Sequence, residues 1–125
     1  MKNYLQSKES EMLSLLKKLV SIDSGSAHKE GIDEIGRVLR EQYLQIGFSP
    51  KIYEQSGNGN HIVLTLRNSE TTPSILFVAH MDTVFKTGTA EQRPFTIKGE
   101  RAYGPGVIDM KASQVALLYA MKTLA

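Results

Sequence analysis

One stretch restricts the fold of this 125-residue chain more than any other. It is the apolar run at residues 75–79, which is followed directly by His80 and then by Asp82. A continuous apolar run of this length predicts a strand that is buried on both faces of a sheet. Since side chains two positions apart share one face of a strand, we expect His80 and Asp82 to point the same way. Ligands bind at the carboxyl ends of strands in open α/β sheets, so the stretch predicts a site at this point.

A histidine and an aspartate in this arrangement suit metal chemistry. One of the two can hold a metal while the other accepts the imidazole N–H and fixes the orientation of the ring. Taken singly, His80 is more often an ordinary core or surface histidine, and Asp82 is more often a turn residue. The interpretation as a site therefore depends on further groups of the same kind elsewhere in the chain.

The rest of the sequence alternates helical and strand patterns. Apolar residues at helical spacing predict helices over residues 7–20, with Ser7 as N-cap, over residues 29–46, with Gly47 after the last turn, and from Met110 onward. Short strands are predicted at residues 51–54, 62–66, 95–98 and 101–103, paired as two hairpins around turn residues. Residues 85–94 are predicted to be an irregular loop. Helices around a short strand set indicate an α/β sandwich, and a hairpin before the buried strand makes its sheet mixed.

Composition excludes several classes of function. The chain contains no cysteine, so disulfides and thiolate metal sites are excluded, and any transition metal would be held by histidine and carboxylate. The net charge is only +2, with basic residues scattered along the chain, which gives no case for nucleic-acid binding. No signal peptide is visible, and no apolar stretch approaches the roughly 20 residues of a membrane span. We therefore expect a cytoplasmic protein that does not bind membranes.

A second informative stretch lies before the last helix. Gly104, Pro105 and Gly106 form a sharp backbone feature, and Asp109 follows just before the helical pattern begins. The ordinary interpretation of Asp109 is an N-cap, since aspartate is common at that position. Lys111, in the first turn of the predicted last helix, is predicted to be structural rather than catalytic. Together with His80 and Asp82, however, Asp109 makes a third polar group at the end of an apolar element.

These two stretches resemble the paired signatures of a known family. Residues 79–84 and 101–111 are similar to the motifs of the dinuclear-zinc exopeptidases and deacylases. That family includes glutamate carboxypeptidase, succinyl-diaminopimelate desuccinylase, acetylornithine deacetylase and the aminotripeptidases. The opening residues 19–26 also resemble the family's first helix-to-loop segment, so the resemblance covers nearly the whole chain. It implies a three-layer α/β sandwich in which helices flank a mixed sheet.

The resemblance also implies roles for the three residues. His80 is expected to ligate one zinc ion, Asp109 to bridge two zinc ions, and Asp82 to act as a catalytic-site residue by hydrogen bonding to His80. Cobalt or manganese are alternatives to zinc. The peptide bond after Asp109 is expected to be cis. In the family, a water between the metals attacks an amide carbonyl, and a glutamate transfers its proton.

The family's glutamate pair and its later ligands have no counterpart in residues 1–125. We therefore expect this chain to be the N-terminal part of the metallopeptidase catalytic domain, with the remainder of that domain and a dimerisation domain absent. Zinc catalysis usually needs at least three protein ligands, so the isolated chain is expected to bind zinc weakly and to be inactive. The complete protein is expected to act on a peptide or an N-acyl amino acid, as a homodimer.

A different class of function remains open at this point. The same fold could serve as a non-catalytic α/β module that binds a ligand or a partner. A nucleotide-binding domain is disfavoured, because Gly104, Pro105 and Gly106 lack the glycine pattern of phosphate-binding loops.

Overall fold

The computed structural model of the chain describes residues 2–67 and 73–124. Within these residues, five helices, four strands and one wide turn follow one another. In chain order they are α1 (Lys2–Ser7), α2 (Glu9–Val20), α3 (Lys29–Leu44), β1 (Ser49–Tyr53), β2 (His61–Thr65), α4 (Thr89–Gln92), β3 (Thr96–Lys98), β4 (Arg101–Tyr103), the wide turn Val107–Lys111 and α5 (Ala112–Lys122). The expected mixture of helices and strands is present, and its α/β class is confirmed.

The first predicted helix exists, but its predicted cap is wrong. Ser7 is the last residue of α1, where its hydroxyl donates a hydrogen bond to the carbonyl of Tyr4. Lys8 precedes α2 and gives that helix no side-chain cap. Residues 2–7 already adopt helical structure, so Ser7 finds its acceptor one turn back rather than at a free helix start.

Helix α3 confirms the apolar stripe that was predicted for residues 29–46. Helix α3 buries Ile32, Ile35, Leu39 and Tyr43, and its first turn carries Glu30, where the helix dipole favours an acid. Gly47 has a positive φ of 86°, as expected of a glycine that ends a helix. The helix therefore ends close to the predicted position.

The strands form two separate antiparallel hairpins. In the first, β1 pairs with β2, and Ile52 lies opposite Ile62. In the second, β3 pairs with β4, and Ile97 lies opposite Ala102. Both hairpins confirm the sequence prediction. Within residues 2–67 and 73–124, each hairpin is a two-stranded sheet of its own rather than part of one mixed sheet.

The hydrophobic core lies between three helices. Helices α2, α3 and α5 contribute its buried side chains, which are Leu16, Leu19, Val20, Ile35, Val38, Leu39, Tyr43, Val115, Leu118 and Tyr119. Partly buried residues from both hairpins, among them Leu64 and Ala102, pack against this cluster. The core thus brings together the N-terminal helices and the last helix, which are distant in sequence.

The apolar run at residues 75–79 is where the prediction is wrong. In the structure these residues form no strand, and Ile75, Leu76 and Val78 are 81%, 84% and 83% exposed. A strand is buried on both faces only when other strands pair with its edges and helices cover it. The described strands pair only within their own hairpins, so none of them covers this run.

The connection between the run and the second hairpin is more ordered than predicted. Residues 85–94 were expected to be irregular, but they contain the short helix α4.

None of the helices in the described ranges combines the length and apolar character that crossing a membrane would demand.

Candidate functional site

His80 lies between two carboxylates that come from different parts of the chain. Its Nε2 atom is 2.9 Å from Oδ1 of Asp109. Its Nδ1 atom is 3.0 Å from the backbone oxygen of Asp82 and 3.1 Å from Oδ1 of the same residue. The structure therefore brings together all three residues that the sequence singled out.

The contacts of His80 assign different roles to its two ring nitrogens. A backbone carbonyl can only accept a hydrogen bond, so Nδ1 carries a proton and donates it to Asp82. Nε2 donates to the carboxylate of Asp109 in the metal-free chain, and after losing its proton it is the ring nitrogen that could hold a metal ion. Asp82 thus lies on the orienting side of the ring and Asp109 on the ligating side.

The charges around His80 favour its protonated form in the metal-free chain. Partial burial lowers the pKa of His80, but the hydrogen bonds and charges of Asp109 and Asp82 outweigh this effect and raise it above its ordinary value. The side chains of His80 and Asp109 are 46% and 74% exposed. Both groups are therefore open to an ion or a substrate that approaches from solvent.

Asp109 sits in a distorted turn rather than in a helix. Gly106 has a positive φ of 76°, and the backbone angles of Asp109 and Met110 are not helical. The peptide bond between Asp109 and Met110 is cis, as the resemblance implied. Lys111, not Asp109, is the residue that precedes α5, and it provides no side-chain cap. The ordinary interpretation of Asp109 as an N-cap is therefore wrong, because its carboxylate faces His80 instead.

Two groups near the start of α5 hold the backbone of His80. The side-chain amide of Gln114 donates a hydrogen bond to the carbonyl of His80. The backbone N–H of His80 points to the sulfur of Met110 at 3.4 Å. His80 has no strand partner in the described chain, so these contacts tie it to the element that carries Asp109.

The loop after α2 supports Asp82 from the other side, and the sequence did not reveal this. Ser26 donates a hydrogen bond from its hydroxyl to Oδ2 of Asp82. The backbone of Thr83 bonds to Ser24 at 2.8 Å and to Ser26 at 3.1 Å, which forms a short parallel bridge at Gly25. Residues 21–26 were predicted only as a loop of turn formers, and no local pattern identifies a partner 56 positions away.

Asp23 fastens the same loop to α4. Its carboxylate accepts hydrogen bonds from the N–H groups of Gly88 at 2.7 Å and Ala90 at 2.9 Å. Burial raises the pKa of Asp23, but these two backbone hydrogen bonds outweigh it and keep the pKa below its ordinary value. The ionised carboxylate therefore links residues that are more than 60 positions apart in sequence.

Lys111 is buried, with only 2% of its surface exposed. Its ammonium group donates hydrogen bonds to the carbonyls of Leu19 at 2.8 Å and Ile22 at 2.9 Å. Burial lowers the pKa of Lys111 to about 8, against the opposing charge of Asp23. These contacts join the end of α2 to the turn that carries Asp109, in agreement with the predicted structural role.

The donor atoms fit part of a metal site. An imidazole nitrogen and a carboxylate oxygen suit zinc, cobalt or manganese, and the chain offers no thiolate. Among residues 2–67 and 73–124, no three histidine or acidic side chains are grouped so that they could hold a metal ion. The described residues therefore supply fewer ligands than a complete zinc site requires.

Comparison with known proteins supports a hydrolase. The model of the family described as "Peptidase family M20/M25/M40" matches residues 76–125, which include His80, Asp82 and Asp109. Carboxypeptidase G2 of a Pseudomonas species (strain RS-16) is 32% identical over 115 residues, which is 90% of this chain and 28% of that protein. N-formyl-4-amino-5-aminomethyl-2-methylpyrimidine deformylase of Halalkalibacterium halodurans is 26% identical over 127 residues, which is 97% of this chain and 30% of that protein.

The fold is of the α/β class, and all three site residues lie in the part of the chain that matches this peptidase family. This chain matches the model of peptidase family M20/M25/M40 over residues 76–125. It spans less than a third of the length of either relative.

Proposed function

We propose that this chain carries part of the active centre of a zinc-dependent hydrolase, which cleaves an amide bond in a peptide or an N-acyl amino acid. The observation that carries the proposal is the 2.9 Å approach of His80 Nε2 to Asp109 Oδ1, both exposed, while Nδ1 is held by Asp82. The relatives are named as a carboxypeptidase and as a deformylase of an N-formyl compound, which supports an amide-type substrate.

In this proposal His80, Asp82 and Asp109 have different roles. His80 and Asp109 would be the residues that hold the metal. Asp82 orients the imidazole by accepting its Nδ1–H, so that Nε2 stays directed at the metal position. When bound there, zinc lowers the pKa of water and polarises a carbonyl group. Cobalt or manganese could occupy the same nitrogen and oxygen donors.

We further propose that these residues belong to the N-terminal part of a larger catalytic domain. The chain spans 28% of the length of carboxypeptidase G2, and its described part lacks a group of three metal-binding side chains. A glutamate that transfers protons and the remaining ligands would come from another part of a longer protein. In that protein the two hairpins would form part of a three-layer sandwich, and the complete enzyme would be a homodimer. Its cytoplasmic location stays a prediction.

Zinc titration of the chain, followed by nuclear magnetic resonance of its histidine side chains, tests the ligand assignment. We expect zinc to shift the ring signals of His80, which lies between two carboxylates, and to leave those of His61 unchanged, because the strand partner of His61 is Tyr53. Asp109→Ala should abolish the zinc-dependent shift of the His80 ring signals, and His61→Ala should preserve it. His80→Ala should abolish zinc binding by the chain. Zinc binding that survives in the His80→Ala/Asp109→Ala double variant would contradict the assignment.

Activity is tested separately. The isolated chain is expected to hydrolyse neither dipeptides nor N-acyl amino acids, because it offers too few ligands and no positioned glutamate. A longer protein that includes this sequence should show hydrolysis that depends on zinc and is lost in His80→Ala. Hydrolysis by the isolated chain at a rate equal to that of the longer protein would contradict the proposed division of the site.

A further inference from the structure

We propose that Ser26 is a positioning residue of this site, which acts on His80 through Asp82. The inference rests on the proposed function, since it concerns the residue that orients a metal ligand. Ser26 lies 56 positions before Asp82 and donates its hydroxyl hydrogen to Oδ2 of that residue. Asp82 in turn holds Nδ1 of His80, whose Nε2 faces Asp109.

The carboxylate of Asp82 is held at both oxygens. Oδ2 accepts the hydroxyl of Ser26, and Oδ1 accepts Nδ1–H of His80 at 3.1 Å. Rotation of this carboxylate about its Cβ–Cγ bond would break both hydrogen bonds at once. A hydrogen bond to an ionised acceptor is stronger than one between neutral groups. The hydroxyl of Ser26 is also 3.4 Å from the carbonyl of Thr83, but the charged and closer oxygen of Asp82 is the better acceptor.

Ser26 is itself fixed by its backbone. Its N–H donates to the carbonyl of Thr83 at 3.1 Å, and the neighbouring Ser24 accepts the N–H of Thr83 at 2.8 Å. Ser24 and Thr83 are 1% and 6% exposed, so this bridge lies in the interior. A side chain at Gly25 would collide with the carbonyl of Phe85, which shows how closely the two segments approach. The hydroxyl of Ser26 is therefore presented to Asp82 from a rigid support.

The bonds of the Ser26 hydroxyl can be removed without removing those of the Ser26 backbone. Replacing Ser26 with alanine removes the bond to Asp82 and the longer contact with the carbonyl of Thr83. It leaves the parallel bridge in place, because the bonds of the bridge use backbone atoms. Ser26 is exposed, so threonine fits at this position and keeps the hydroxyl. An ordinary turn role for Ser26 would change stability in the alanine variant but would leave the ring of His80 undisturbed.

The test compares Ser26→Ala, Ser26→Thr and Asp82→Asn in the metal-free chain at one fixed pH. The readout is the ¹⁵N chemical shift of Nδ1 in His80, which reports its hydrogen bond. We expect Ser26→Ala to move this signal towards its position in Asp82→Asn, and Ser26→Thr to keep it near the wild-type position. Ser21→Ala is the matched control, because the hydroxyl of Ser21 bonds to the carbonyl of Lys17 at the end of α2.

A second measurement uses zinc. We expect Ser26→Ala to weaken zinc binding about 10-fold, which is the lower end of the effect of removing a group that supports a metal ligand. In the Asp82→Asn background the same substitution should have no further effect, since Ser26 acts only through Asp82.

The outcomes distinguish this inference from the proposed function. An unchanged Nδ1 signal in Ser26→Ala, or an equal loss of zinc affinity with and without Asp82, would overturn the role of Ser26. If zinc leaves the ring of His80 unaffected in the wild-type chain, the metal assignment fails. The Nδ1 comparison, which needs no metal, then still decides whether Ser26 orients His80.

Discussion

His80 and Asp109 approach within 2.9 Å across 29 positions of sequence. His80 follows an apolar run without strand partners in the described chain, whereas Asp109 lies in the turn before α5. Contacts from Gln114 and Met110 to the backbone of His80 join these two elements. The pair therefore depends on the packing of α5 as much as on the residues themselves.

Substitution of Asp82, which orients His80, should weaken zinc binding less than substitution of the proposed ligand His80. Asp82→Asn should weaken zinc binding by about 10- to 100-fold, because the residue supports His80 without holding the ion. His80→Ala should remove the binding altogether. Isothermal titration measures both affinities, and Asp33→Asn serves as the control, because its carboxylate binds Lys29 and Asn60 instead of His80. Equal losses in Asp82→Asn and His80→Ala would show that Asp82 is itself a ligand.

Lys111 should stabilise the fold through its two buried hydrogen bonds. Lys111→Met leaves the carbonyls of Leu19 and Ile22 without this donor, which should lower the free energy of unfolding by about 1–3 kcal/mol. Lys17→Met, at an exposed position of α2, should change it by less than about 0.5 kcal/mol. Urea unfolding of the two variants checks the difference. Equal stability of the two would exclude the structural role of Lys111.

Asp33 should make stability depend on pH. Its carboxylate accepts a hydrogen bond from the ammonium group of Lys29 at 2.8 Å and another from the backbone N–H of Asn60 at 2.7 Å. The bond to Asn60 ties α3 to the turn of the β1–β2 hairpin. Burial raises the pKa of Asp33, but these two partners outweigh it and bring the pKa below its ordinary value of 3.8. The folded state thus binds this proton less tightly than the unfolded state, so the contribution is present above pH ~3.9 and is lost as the pH falls through the lower folded value.

Asp33→Asn should therefore cost about 1–3 kcal/mol at pH 7 and less at pH 3. Urea unfolding at the two pH values measures this change. Glu54→Gln, at an exposed position beyond β1, is the control for removal of a negative charge. A cost of Asp33→Asn that stays the same at pH 3 would contradict the assigned pKa direction.

Gly106 should tolerate a side chain less well than Gly88. Both have positive φ, so alanine is strained at either position by about 1–2 kcal/mol. A Cβ atom at Gly106 would also lie 2.5 Å from Cγ2 of Thr83, whereas one at Gly88 would meet nothing within 4 Å. Thermal unfolding should show Gly106→Ala to be less stable than Gly88→Ala by about 1–3 kcal/mol. The opposite order would mean that the turn before Asp109 packs differently.

The exposed apolar run should bind an apolar dye. Ile75 and Val78 are more than 80% exposed, so replacing both with lysine should lower dye fluorescence and change the free energy of unfolding by less than about 0.5 kcal/mol. Leu124→Lys, an exposed apolar position near the end of α5, is the control and should affect the dye less. A large loss of stability in the double variant would show that the run is buried.

The helices and hairpins could be predicted because their signals are local. In α3 the apolar residues recur at helical spacing, as Ile32, Ile35, Leu39 and Tyr43 show. Turn residues connect the strands of each hairpin, so short-range rules are enough to predict these elements. The cap at Ser7 was wrong because an additional helix precedes it. The short helix α4 was missed because the carboxylate of Asp23, more than 60 positions away, binds the N–H groups of Ala90 in the helix and of Gly88 just before it.

The amino-acid sequence was enough to predict the donor types of the site. The absence of cysteine, the spacing of His80 and Asp82, and the resemblance around Asp109 already indicated a nitrogen and oxygen site in a hydrolase. The three-dimensional structure was needed to show which ring nitrogen of His80 faces Asp109, that Asp109 is not an N-cap, and that Ser26 holds Asp82. The physical reason is that these relationships depend on packing between α2, the loop after it and α5, and residues 29 to 56 positions apart leave no local pattern. Burial of the run at residues 75–79 depends in the same way on neighbouring strands, which its own composition cannot supply.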